Sequence, residues 1–319
     1  MKKYKKIDFC AKGGASDGLA YFGLIKELCS KDIKCKSVFL TSISTIMFPL
    51  WAVGNSARKV KAILKSAKYD RTMRIETDLE KKHSRLSTKI LSAVGIFFVV
   101  KTLWNSNITK LLARELSWKA VKKAKRIDKM YIGFTTRNEL KKAYSKWKPF
   151  ILVMKSLLSN DIKLETCEKA YNNCKMFWAS DDGVYTMDVK KKKLIRYSND
   201  IIPLWKAVKC AIKNPVMNNF KIELRGEKQR PFDLGILNNQ SNMGFIGKPN
   251  NSFYQFSCGE LPPTEWVQGD DTLSNYVYNK HRPIKEYVFL SRTEDGFFGL
   301  NNKNIDEEYE HAKESNVFN

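Results

Sequence analysis

The sequence predicts an α/β protein, because two strand–loop–helix passages stand near its start and a strand running into a turn stands late in the chain. Lys5, Ile7 and Phe9 alternate with Lys6 and Asp8 and meet Gly13-Gly14, so a first strand enters a tight loop. Leu19, Phe22, Ile25 and Leu28 then follow helical spacing. Lys36 to Leu40 reads as a second strand, and Ile43 to Val53 as a helix that stops at Gly54 and contains Pro49. With 319 residues, 43% of them apolar, the chain has material for one large α/β domain or two smaller ones, and its composition is globular.

Ser56 is placed to cap a further helix that carries Val60, Ile63 and Leu64 on one face. Residues 68 to 150 look helical and basic, with a strand between Arg126 and Phe134. Lys175 to Met187 reads as a hairpin turning at Asp181-Asp182-Gly183, and Lys190 to Lys193 as a second, solvated turn. A helix is expected over 202–212, ahead of Pro215, and a strand over 221–224, with a turn at Gly226 before Pro231-Phe232-Asp233. Beyond about residue 250 the chain is richer in Asn, Gly and aromatic residues and shows no readable period, apart from an acidic helix over 306–314.

The formal net charge of +24 predicts attraction to polyanions, such as anionic lipid headgroups or nucleic acid, without choosing among them. A lysine-rich solvated surface explains the same number. The seven cysteines are odd in number, irregularly spaced and contain no Cys-x-x-Cys pair. They suggest neither zinc nor a disulfide framework and fit a reducing, cytoplasmic setting. The basic N-terminus lacks the apolar region of a signal peptide. The most apolar run, Ile90 to Val100, falls short of the roughly 20 residues that span a bilayer and reads as a buried helix. Any membrane contact is therefore expected to be peripheral.

Three motifs carry chemistry. Lys12-Gly13-Gly14-Ala15-Ser16-Asp17-Gly18 is a glycine-rich loop, followed by Gly23-Leu24-Ile25-Lys26-Glu27-Leu28. Leu40-Thr41-Ser42-Ile43-Ser44 sits between a strand and a helix, as a nucleophile elbow does. Asp233-Leu234-Gly235-Ile236-Leu237-Asn238-Asn239 follows far downstream, after the apolar helix that begins near Leu204. In order and spacing the three resemble the patatin-like phospholipase family, over residues 5 to 245. The resemblance implies a three-layer α/β/α sandwich with a mostly parallel central sheet. It also implies a division into a patatin-like domain, residues 1–245, and a C-terminal extension, residues 246–319.

The implied activity is hydrolysis of lipid acyl esters. A serine hydroxyl needs a base. The three histidines, His83, His281 and His311, stand in no recognisable triad. The resemblance supplies an aspartate instead, with Ser42 as nucleophile, Asp233 as base, and the amides of Gly13, Gly14 and Ala15 as oxyanion hole. It implies no metal or organic cofactor, a phospholipid or other acyl-lipid substrate, and an anionic membrane surface as partner. Nucleic acid is disfavoured, since no zinc-finger spacing or RNA-binding motif is present. The chain departs from the family pattern at Leu40 and Ser44, where the elbow has glycines. Asp17 stands near the expected oxyanion, and Leu234 replaces a glycine after the aspartate. Crowding at the elbow is therefore expected, and a non-catalytic patatin-fold protein that binds lipid or a partner through its basic surface stays open beside the enzyme.

Overall fold

A computed structural model describes residues 6–66, 107–143, 168, 171–212, 220–246, 253–258, 273–281, 284–291, 302–313 and 315–318. The Ile90–Val100 run, His83, Cys167 and the side chain of Ala15 lie outside these. The described chain is α/β, built on one nine-stranded sheet with a separate two-stranded ribbon. Its strands are β1 (Ile7–Ala11), β2 (Cys35–Leu40), β3 (Ile127–Thr136), β4 (Phe177–Ser180), β5 (Gly183–Asp188), β6 (Lys193–Ser198), β7 (Ile222–Leu224), β8 (Glu227–Gln229), β9 (Pro231–Asp233), β10 (Tyr254–Cys258) and β11 (Lys285–Phe289).

The sheet runs β11-β10-β1-β2-β3-β4-β5-β6, with β9 also paired to β3 and β7-β8 standing apart. From β11 to β3 every pairing is parallel. From β3 onward the sheet turns antiparallel through β4, β5 and β6. The short Asp181-Asp182 turn makes β4 and β5 antiparallel, because a tight hairpin joins only antiparallel neighbours. Lys129 Nζ pairs with Asp181 at 2.9 Å and Asp182 at 2.6 Å, and Arg196 reaches Asp182 at 2.9 Å, so these acids pin the turn. The stretch after residue 245 is not an appendage. Its strands β10 and β11 extend the same sheet from the β1 edge.

Alternation along the central strands shows two buried faces. Phe9, Ala11, Val38 and Leu40 point to one core with Ile132, Phe134, Phe177 and Ala179, while Cys10, Phe39 and Trp178 point to the other. The first face is covered by α1 (Tyr21–Ser30), α2 (Ser44–Ala52), α3 (Ala57–Lys65) and, later in the chain, α7 (Leu204–Ala211). Between them in sequence come α4 (Asn107–Glu115), α5 (Trp118–Ala124) and α6 (Arg137–Ala143). The second face is covered by α6, α8 (Gly235–Asn238), a 3₁₀ turn (Asn242–Phe245) and α9 (Leu273–Lys280). Helices on both faces make three layers. Every residue of α2 is buried, which is why its sequence is apolar almost throughout.

The ends of these elements follow from local chemistry. Ser56 caps α3 as expected, accepting from the Lys59 amide at 3.3 Å. Arg126 Nη1 donates to the carbonyls of Trp51 at 2.8 Å and Asn55 at 2.7 Å, satisfying the carboxyl end of α2. The last helix, α10 (Asn302–His311), packs on α1 and α3, and the chain end is tied to α1 through Glu27. Burial alone would raise that carboxyl, but bonds from Ser315, Lys31 and the Phe318 and Val317 amides hold it below its usual range. Among the described residues no helix is long and apolar enough to cross a membrane.

Gly133 in β3 makes room for the Leu234 side chain and the Leu40 carbonyl. A Cβ there would stand 2.6 Å from Leu234 Cδ2 and 2.9 Å from the Leu40 carbonyl oxygen. Gly133→Ala should therefore cost about 1–3 kcal/mol of stability by overpacking. Urea unfolding measures this, and an unchanged midpoint would contradict such close packing.

Candidate active site

Strand pairing brings the serine and the aspartate together. At Ile132 and Phe134 one edge of β3 is occupied by β4, through Ala179 and Phe177. On its opposite edge β2 ends with Leu40 beside Ile132. β9 takes up that edge at Phe134, opposite Asp233, and continues to Thr136 opposite Pro231. The chain thus leaves the sheet after Leu40 where Asp233 enters it, and Ser42 lies in the gap. Its hydroxyl hydrogen-bonds the Asp233 carboxylate.

Ser42 sits at the strand-to-helix turn, with φ at +54°. For a residue with a side chain this left-handed conformation stores on the order of 1–3 kcal/mol and persists only when its surroundings over-determine it. Those surroundings are visible. Ser44 Oγ accepts from the Thr41 amide at 2.9 Å and lies 3.0 Å from the Ala11 and 2.7 Å from the Thr41 carbonyl oxygens, sharing its proton between them. The Thr45 amide and hydroxyl both donate to the Ser42 carbonyl. Ser44 therefore stitches the elbow to β1 and does not crowd it. Leu40 stands directly before the turn. It ends a regular strand with its side chain fully buried in the same core as Val38, Ile132 and Phe134.

Glycines at the loop are required by close approach. A Cβ on Gly13 would lie 2.5 Å from Ser42 Cβ and 2.5 Å from Asn239 Oδ1, and one on Gly18 would lie 2.3 Å from Ile43 Cγ2. The Gly13 amide is not free to hold an oxyanion in this arrangement, since it donates to the Asn239 carbonyl at 2.9 Å. Gly14 precedes a 3₁₀ turn over Ala15–Ala20, and the first amides of such a turn have no intrahelical acceptor. Gly14 and Ala15 open that turn, and Gly13 serves by its lack of a side chain. Tyr21 supports the loop from below, its hydroxyl 2.9 Å from the Lys12 carbonyl and 3.0 Å from that of Phe256. Burial raises the Asp17 carboxyl, and its charged neighbours are Lys12, which lowers it, and Glu308, which raises it.

Asp233 ends β9 and is only partly accessible. Burial pushes its carboxyl up to about 7, against the lowering bonds from the Gly235 amide and the Ser42 hydroxyl. The Gly235 amide donates to Asp233 Oδ1 at 2.8 Å. Leu234 turns into the core beside Gly133. Asn239 was not among the expected site residues. Its Oδ1 lies beside both Gly13 and Gly235, and the signal was its position at the end of the Asp233 motif.

The rival candidates serve other ends. Asp181 and Asp182 hold lysines at a hairpin. His281 Nε2 lies 2.6 Å from the Tyr171 hydroxyl, and burial, then Lys280 and Lys192, push its ring down to about 4. His311 Nδ1 lies 2.9 Å from the Glu307 carbonyl. A cavity of about 310 Å³ is lined by Ala20, Gly23, Phe289, Leu290, Glu308 and His311 and does not include the dyad. No protein-family model matches the chain, and no curated protein matches it.

The raised Asp233 carboxyl fixes a sign for stability. Its folded value lies above the unfolded one, so the folded state binds the extra proton between about pH 4 and 7. Ionisation then costs stability progressively over that window, and the cost is complete above it. Asp233→Asn should unfold at higher urea than the parent at pH 8, with the difference vanishing below pH 4. An equal difference at both pH values would show that Asp233 is not buried as described.

Proposed function

We propose that this protein hydrolyses acyl esters of lipids through a Ser42–Asp233 dyad on a patatin-like fold. The observation that carries the reading is the hydrogen bond between a serine held at positive φ in a strand–turn–helix elbow and a carboxylate whose burial moves it close to neutrality. A base titrating near the working pH combines an available ionised form with useful proton affinity.

The steps use groups already in place. Ser42 Oγ attacks the acyl carbonyl carbon as its proton passes to Asp233, and the carbonyl oxygen becomes the oxyanion. The amides of Gly14 and Ala15 lie at the loop packed on Ser42 and supply donors for that charge. The tetrahedral species expels the alcohol, which takes the proton from Asp233 and leaves an acyl ester on Ser42. Water then attacks this ester and gives a proton to Asp233. Ser42 Oγ leaves and recovers that proton, and the fatty acid is released. No step calls for a metal or an organic cofactor.

A second reading, a patatin-fold protein that binds without turnover, draws support from the Gly13 amide, which is spent on Asn239, and from Asp17 beside the loop. Kinetics separate the two. Hydrolysis of a short-chain p-nitrophenyl ester should fall about a thousandfold or more in Ser42→Ala and in Asp233→Asn, and the double variant should be no worse than the worse single, because the pair acts as one unit. A parent enzyme with no measurable hydrolysis, or a single variant with unchanged rate, would favour the binding protein.

The elbow stitch gives a further expectation. Ser44→Ala removes the acceptor of the Thr41 amide and the donor to the Ala11 carbonyl. It should lower stability by about 1–3 kcal/mol and reduce ester turnover in the folded protein. Turnover at or above the parent rate would show that Ser44 does not position Ser42.

A further inference from the structure

One row of residues crosses the sheet from the dyad to a basic hairpin. Asp233 pairs with Phe134, Phe134 with Phe177, Phe177 with Thr186, and Thr186 with Ile195. Just beyond this row, where Asp188 pairs with Lys193, the β5–β6 hairpin closes. Its tip therefore projects from the same end of the sheet as the Ser42 turn. With strands about 4.8 Å apart, the tip stands roughly 15–20 Å to the side of Asp233. It carries Lys190, Lys191, Lys192 and Lys193, all exposed.

A second element completes the face. Met187 lies in the same apolar cluster as Tyr171 and Val277, with Val189, Leu194 and Tyr276 packed against it, so the hairpin and α9 are braced together. Lys280, exposed at the end of α9, has its Nζ 4.8 Å from the centre of the Tyr171 ring and 5.2 Å from that of Tyr276. The neighbouring His281 carbonyl accepts from Asn242 Nδ2 at 3.1 Å, which ties this end of α9 to the segment leading from Asp233. Asp188 sits 3.9 Å from Lys191, and Glu168 lies 3.4 Å from the Tyr276 hydroxyl. These two acids leave the face strongly positive.

We infer that the Lys190–Lys193 hairpin and Lys280 form a docking face for an anionic lipid surface, which presents the Ser42–Asp233 end of the sheet to the bilayer. Tyrosine beside lysine suits the headgroup level, where one end of the ring is apolar and the other is wet. The choice of lipid over nucleic acid rests on the acyl-hydrolase reading, since a lipid substrate must be met at a surface.

The test is co-sedimentation of the full chain with vesicles of phosphatidylcholine alone or with phosphatidylserine, and competition by a single-stranded 20-mer DNA. The face variant changes Lys190, Lys191, Lys192 and Lys193 to Gln. A charge-matched control changes Lys34, Lys36, Lys123 and Lys125, which are exposed at the opposite end of β2 and β3. Allowing for screening, the face variant should bind phosphatidylserine vesicles roughly a hundredfold more weakly, and the control should lose less than a tenth of that factor. Equal losses would overturn the inference in favour of diffuse charge. DNA binding tighter than vesicle binding, lost in the face variant, would overturn it in favour of nucleic acid. Hydrolysis of a soluble short-chain ester should be equal in parent, face variant and control. A chain that binds vesicles through the hairpin yet cleaves no ester would uphold the docking face and refute the dyad's activity.

Discussion

The arrangement depends on one turn, in which Ser42 is held in the left-handed region between β2 and α2. This conformation is unfavourable for any side-chain-bearing residue, so its presence means that neighbouring contacts impose it. The Ser44 hydroxyl, placed between the Thr41 amide and the Ala11 carbonyl, is the main such contact. It couples the elbow to β1, and β1 leads directly into the glycine loop. The loop, the elbow and the strand below them thus form one unit, and displacement of any part moves the others.

The same turn explains why β9 matters so much despite its length of three residues. A strand that stopped without a successor would leave the edge of β3 with unpaired amides and carbonyls, a cost buried sheets do not tolerate. β9 fills that edge at Phe134 and delivers Asp233 to the vacated position. Burial then raises the Asp233 carboxyl to about 7. The position that gives the carboxylate its proton affinity also makes its charge expensive, so raised proton affinity and lost stability share one cause.

Much of this organisation was legible in the sequence because it is local. The strand of Lys36–Leu40, the all-apolar helix after Ile43, the Ser56 cap and the Asp181-Asp182-Gly183 hairpin each follow from spacing and turn chemistry within a dozen residues. What was not legible is relational. Ser44 looked like an obstacle because its bond to Ala11 joins it to a strand far away in sequence, and Leu234 because the glycine that makes room for it, Gly133, is on another strand. Gly13 looked like a donor, but the chain that claims its amide is Asn239. β10 and β11 hid within the aromatic-rich tail because β10 buries the polar Gln255 and Ser257 between its apolar residues, and β11 is a partly exposed edge strand. Nothing in either strand names β1 as its neighbour.

The central claim is that Ser42 is an activated nucleophile, and reaction with a fluorophosphonate probe tests it without assuming a substrate. Mass spectrometry of the labelled, folded chain should find one adduct, on Ser42. Its rate of formation should rise as pH passes through about 7, where Asp233 ionises, and should collapse in Asp233→Asn. Labelling of another residue, or a folded chain in which Ser42 stays unmodified at pH 8, would contradict the account.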